Sequence, residues 1–131
     1  MKRVGRNLTI TVLFVFLGVV IVMADEFDTI ATAIKVGDAH GIALYFDKNV
    51  DVKTDDKPIT YSRNQAELVL REFFHRNVPR AFTIIHRGSS AKGAKYIIGN
   101  LETSQGNFRS FVYVKEVNQK QLIEEITFEK Q

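Results

Sequence analysis

Around Pro79 the spacing of apolar residues in this chain changes, and the change restricts it to one class of fold. Before that point the spacing is helical. Phe27, Ile30, Ala31 and Ile34 stand at i, i+3, i+4 and i+7, and Ala66, Val69, Leu70, Phe73 and Phe74 repeat the pattern. After it the spacing is two. Phe82 to Arg87, Lys95 to Thr103, Asn107 to Lys115 and Gln121 to Glu129 read as four strands. Their connections are short and rich in Gly, Ser and Asn, so consecutive strands are expected to lie antiparallel. Helices followed by a meander give an α+β fold, with helices packed on one face of an antiparallel sheet.

Local signals bound the elements. Asp25 is suited to cap a first helix, and Gly37 to end it in a left-handed conformation. Asp38 opens a shorter, mostly buried helix carrying Ile42, Leu44, Tyr45 and Phe46. Asn49 to Thr54 alternates as a strand, the turn at Asp55 to Pro58 follows, and Ile59 to Tyr61 is extended. Ser62 and Gln65 form a capping pair for the long helix, and Val78-Pro79 stops it. Glu67 with Arg71 and Glu72 with Arg76 are favourable i, i+4 pairs on its wet side. On the sheet, Ile97, Leu101, Leu122, Ile126 and Phe128 are assigned to the inner face. Tyr96, Ile98, Phe111, Tyr113 and Ile123 are assigned to the second face.

Residues 1–24 are expected to be a leader rather than part of this fold. Lys2, Arg3 and Arg6 precede an unbroken apolar run of 13 residues from Val12 to Ala24, followed by Asp25 and Glu26. That is the layout of a secretory signal cleaved after Ala24. A spanning helix would need about 20 apolar residues, so membrane attachment is expected only if the signal stays uncleaved. The module proper is therefore expected to be 25–131, a single exported α+β domain.

Without the leader, the formal net charge falls from +3 to zero, because Lys2, Arg3 and Arg6 are lost while all 15 acidic residues remain. A fold that bound nucleic acid would ordinarily keep a basic excess, so no nucleic-acid partner is expected. The chain contains no cysteine, which excludes disulfides, thiolate metal sites and thiol catalysis. Its stability must come from the core alone.

Five further segments stand out together: Ile30 to Gly37, Tyr45-Phe46-Asp47 with Val50-Asp51, Tyr61-Ser62 through Phe73-Phe74, Phe82 to Ile84 with His86 and Gly88 to Ser90, and Tyr96 with Ile98-Gly99 and Leu101. In these the chain resembles a family of small bacterial exported proteins known as domain of unknown function 4783. The family lies in the nuclear-transport-factor-2-like (cystatin-like) superfamily. The resemblance implies a strongly bent sheet wrapped over helices as a cone with a pocket at its mouth. It also implies a second sheet face through which relatives commonly dimerise.

Some superfamily members are isomerases or dehydratases that place an Asp, Tyr or His in the cone. In this chain Tyr45, Asp47 and His86 are the residues of matching type, and they are the weak pocket candidates. The structural reading is that Tyr45-Phe46-Asp47 lies at a helix end before a strand, where Asp is a common turn residue. His40, His75 and His86 lack metal-ligand spacing, and Gly93-Ala94-Lys95 departs from a phosphate loop. No catalytic residue, metal or cofactor is therefore expected. Arg76, Arg80, Arg87, Lys92 and Lys95 are the basic residues around the first hairpin. The expected function is a non-enzymatic binding or interaction module. It would hold a small apolar ligand or a partner protein, and pair with its own copy through Tyr96, Ile98, Phe111, Tyr113 and Ile123. An isomerase- or dehydratase-like enzyme using the cone is the alternative.

Overall fold

The computed structural model describes Gly18 and residues 25–131, residue 91 excepted. The expected leader and its cleavage point after Ala24 lie, Gly18 apart, outside the described residues. Helix α1 spans Glu26–Val36 and α2 spans Ala39–Ala43; strands β1 (Phe46–Lys53) and β2 (Ile59–Ser62) follow. Helix α3 spans Arg63–Arg76. The chain then runs through β3 (Pro79–Ser89), β4 (Lys95–Thr103), β5 (Gly106–Val117) and β6 (Lys120–Lys130).

The helix ends form as their sequences dictate. The Asp25 carboxylate accepts from the Asp28 amide at 2.9 Å, and Gly37 closes α1 in the left-handed region at φ 69°. A side chain at Gly37 would crowd Pro79 and Phe74, so the turn and the close approach both call for glycine. Ser62 caps α3 through its hydroxyl, which accepts from the Gln65 amide. Arg87 on β3 ties down the start of α1, donating to Asp25 at 3.1 Å and to Asp28 at 2.6 Å. Hydrogen bonding to Asp28, ahead of the negative charge of Asp25, holds its guanidinium pKa above the ordinary value.

The strands form one curved, unclosed sheet in the order β2-β1-β6-β5-β4-β3. The meander from β3 to β6 is antiparallel throughout, as is the β1–β2 hairpin. β1 and β6 pair in parallel, so the first strand of the chain extends the sheet beside the last. The helices cover the inner face. There Phe46, Leu70, Phe73, Ile97, Leu101, Ile126 and Phe128 are buried with Ile30, Ile34 and Ile42.

Three assignments change. α2 ends at Ala43, Leu44 is exposed, and Phe46 opens β1 instead of closing the helix. Just after the helix, the Tyr45 carbonyl accepts from the Ile123 amide at 2.6 Å and joins the chain to the sheet. Ile123 belongs to the core, with no exposed surface, and not to the second face. Leu122, assigned inward, is half-buried. The cause is a bulge. Tyr113 pairs with Glu125 but Val114 pairs with Ile123, so Glu124 is an extra residue and the alternation of β6 reverses there. Arg76 and Arg80 lie at one end of β3 and Arg87, Lys92 and Lys95 toward the other, the two ends roughly 33 Å apart along the strand, so the five basic residues do not form one cluster.

Candidate functional site

Four chain segments end together at one edge of the sheet and enclose an open cleft of about 920 Å³. They are the end of β1 with its turn, the C-terminus of α3, the β4–β5 turn and the last residues of β6.

The floor of the cleft is aromatic. Phe73 of α3 stacks on Phe128 of β6 at 4.7 Å and meets Phe108 of β5 edge-on at 5.1 Å. Phe74 closes the cluster from the side, 5.5 Å from Phe73 and 5.8 Å from Phe128. These rings exist as a set because the helical period of α3 points Phe73 and Phe74 at the sheet, while the strand period brings Phe108 and Phe128 up beneath them. Phe73, Phe74, Phe108 and Phe128 are buried, and the cleft opens above them.

The rim is polar. Arg76 and Asn77 come from the end of α3, where the Asn77 amide and side chain both donate to the Phe73 carbonyl. Gln105 sits on the β4–β5 turn. That turn is held by Ser104, whose amide donates to the Val78 carbonyl at 3.0 Å and whose hydroxyl accepts from the Val78 amide at 3.2 Å. The Thr103 hydroxyl donates to Gly106 and accepts from Gln105 within the same turn. Lys53, Lys130 and Arg76 supply positive charge; Asp55, Asp56 and Glu129 supply negative charge. Of these, Lys53 and Glu129 pair at 3.0 Å. The expected Glu72–Arg76 ion pair does not form among the described residues, and Arg76 turns to the cleft; Glu67 and Arg71 do pair, at 3.0 Å.

Tyr45, Asp47 and His86 are not brought together. Tyr45 is half-buried at the core edge. Asp47 follows the buried Phe46 along β1, so it faces the other way, and its carboxylate accepts from the Lys48 amide at 2.7 Å. His86 stands on β3, four strand positions from β1 and roughly 19 Å away across the sheet. It is exposed on the second face, where it pairs in register with Ile98 and lies against Tyr96, so it does not enter the cone. None of the three lines the cleft.

That second face carries a row of rings. His86, Tyr96, Phe111 and Tyr113 follow one another at centroid distances of 5.8, 5.6 and 6.4 Å. Tyr96 and Tyr113 are direct cross-strand partners, as are Ile98 and Phe111. Gly88 is what lets Tyr96 lie flat: a Cβ there would overlap the tyrosine ring. All four of Tyr96, Ile98, Phe111 and Tyr113 are half-buried, shielding one another from water.

Residues 27–129 match the sequence profile described as a domain of unknown function, DUF4783. The chain belongs to the DUF4783 family. A DUF4783 protein from Bacteroides fragilis superposes with a TM-score of 0.75 at 29% identity, covering 79% of this chain and 96% of that one. The DUF4783 protein from Bacteroides ovatus gives the same TM-score at 27% identity, covering 79% and 93%. A cystatin-like domain of unknown function from Nostoc punctiforme shares the fold at 14% identity, with a TM-score of 0.63 over 80% of this chain and 72% of that one. Nuclear-transport-factor-2-like and cystatin-like folds are thus the structural neighbours of this DUF4783 chain, as the resemblance implies. No curated protein matches it.

Proposed function

We propose that this DUF4783 protein is an exported, non-catalytic binding module whose ligand seats in the cleft above the phenylalanine floor. The cleft itself carries this reading. It joins an apolar base to a rim bearing both signs of charge and the amides of Asn77 and Gln105. Such a lining suits an extended peptide segment of a partner protein, whose backbone and side chains offer both charges, better than an apolar small molecule. The isomerase-like alternative rests on Tyr45, Asp47 and His86, and none of these three lines the cleft. A pool of short zwitterionic peptides, titrated against the isotopically labelled protein, is expected to shift the amide signals of Arg76, Gln105 and Lys130. Arg76→Glu with Lys130→Glu is expected to weaken that binding by about tenfold or more while the fold persists. Shifts confined to other surfaces, or unchanged in the double variant, would remove the reading.

Export rests on the leader pattern of residues 1–24. N-terminal sequencing of protein recovered from a bacterial periplasm is expected to begin at Asp25. Intact chains starting at Met1 in the membrane fraction would contradict it.

The row of rings favours a second interaction, of this protein with its own copy. Tyr96, Ile98, Phe111 and Tyr113 form a contiguous apolar strip on a face that none of the described helices covers. Two such strips opposed about a two-fold axis would bury one another. Tyr113→Lys is expected to shift the protein toward monomer in sedimentation without unfolding it. A wild-type chain sedimenting as a monomer at high micromolar concentration would end this reading.

A further inference from the structure

Ser110 is fully buried, and its hydroxyl has no hydrogen-bond partner among the described residues. Buried polar groups are almost always paired, so an orphaned one calls for a cause. Its surroundings supply one. Ser110 lies opposite Gly99 on β4 and opposite Phe128 on β6, on the face covered by the helices. Two small residues side by side leave a hollow in that face. The ring of Phe82 reaches into it over Gly99: a Cβ at Gly99 would overlap the Cζ and Cε2 atoms of that ring.

Phe82 differs from the other core rings in its rooting. It belongs to β3, the edge strand of the sheet, and it is half-buried where Phe73, Phe108 and Phe128 are buried. A register shift between Ile84 and His86 loosens the regular pairing of β3 two residues further on. The ring therefore sits as a stopper with one side in water. Being a plain phenyl, it offers the Ser110 hydroxyl no hydrogen-bonding atom.

We infer that this hollow is a binding site for a small aromatic ligand bearing one hydroxyl, which takes the place of the Phe82 ring as that side chain swings out. The size of the ligand follows from the ring it displaces, and its polarity from the hydroxyl it satisfies. The exchange is close to neutral in buried apolar area, so the hydrogen bond to Ser110 decides it. This site is independent of the cleft reading and responds to different probes.

Phenol and benzene are the probes, followed by amide shifts at Gly99 and Ser110. Phe82→Ala removes the stopper and is expected to tighten phenol binding by about tenfold or more over wild type, because the competent state no longer has to be opened. Adding Ser110→Ala is expected to weaken phenol by about tenfold, the worth of one hydrogen bond, and to leave benzene unchanged. Phe82→Leu serves in the same way if the alanine variant does not fold. In the unliganded wild-type background Ser110→Ala is expected to raise the melting temperature, since it deletes an unpaired group. The inference is overturned if Ser110→Ala lowers that temperature, if it leaves the phenol-to-benzene ratio unchanged, or if neither probe binds the stopper-less variants up to its solubility.

Discussion

Phe73→Ala is expected to destabilise the protein by about 3–5 kcal/mol, the range for a large aromatic removed from a packed core. Phe73 is 2% exposed and lies within 5.5 Å, centroid to centroid, of Phe74, Phe108 and Phe128. Its removal would leave a void between α3 and the sheet that the other three rings, each held by its own backbone, cannot collapse to fill. Arg71→Ala on the opposite side of the same helix breaks an exposed pair with Glu67 and is expected to cost under about 1 kcal/mol. Urea unfolding of both variants separates the two. Equal losses would mean that α3 presents a different face to the sheet. The same void would deepen the cleft, so any ligand that rests on the phenylalanine floor should lose affinity in Phe73→Ala as well.

Ile123→Ala is expected to cost about 2–5 kcal/mol, while its neighbour Leu122→Ala costs about 1 kcal/mol or less. Simple alternation along Gln121 to Glu129 assigns the opposite ranking, because it places Leu122 with Ile126 and Phe128. The bulge at Glu124 reverses that parity, and Ile123 becomes fully buried while Leu122 is half-buried. Denaturant midpoints for the two variants, at unchanged slope, therefore read the register of β6 directly. A larger loss at Leu122 would show that the strand runs without the bulge. The result also bears on self-association. With Ile123 inside, the apolar strip on the second face consists of Tyr96, Ile98, Phe111 and Tyr113, and it is confined to β4 and β5.

The elements themselves were legible in the chain because each is written by neighbours within a few residues. The period of 3.6 through Phe73 and Phe74, the caps at Asp25 and Ser62, and the glycine after α1 are local. So is the period of two after Pro79. Local signals of that kind specified the element order, the α+β class and most of the core. They also carried the likeness to the DUF4783 family.

The tertiary structure decided matters that depend on pairing between distant segments. The parallel union of β1 with β6 joins residues as far apart in the chain as Phe46 and Ile123, and no feature of Phe46–Lys53 alone distinguishes it from an antiparallel neighbour. The bulge at Glu124 is a property of β5 and β6 together. It moved Ile123 into the core against the reading of its own strand. Tyr45, Asp47 and His86 have the right chemistry for a cone site. Which face of which strand each occupies depends on sheet order and register, and these separate them. The cleft is the strongest case, since its rim is drawn from four segments that meet only when the sheet is assembled. The orphaned Ser110 hydroxyl and the Phe82 stopper arise in the same way. A serine in an alternating strand reads as ordinary until Gly99 is set beside it and a phenyl ring is laid over that glycine. Local sequence determines which way each residue points along its own element, and the packing of elements far apart in the chain determines what it meets there.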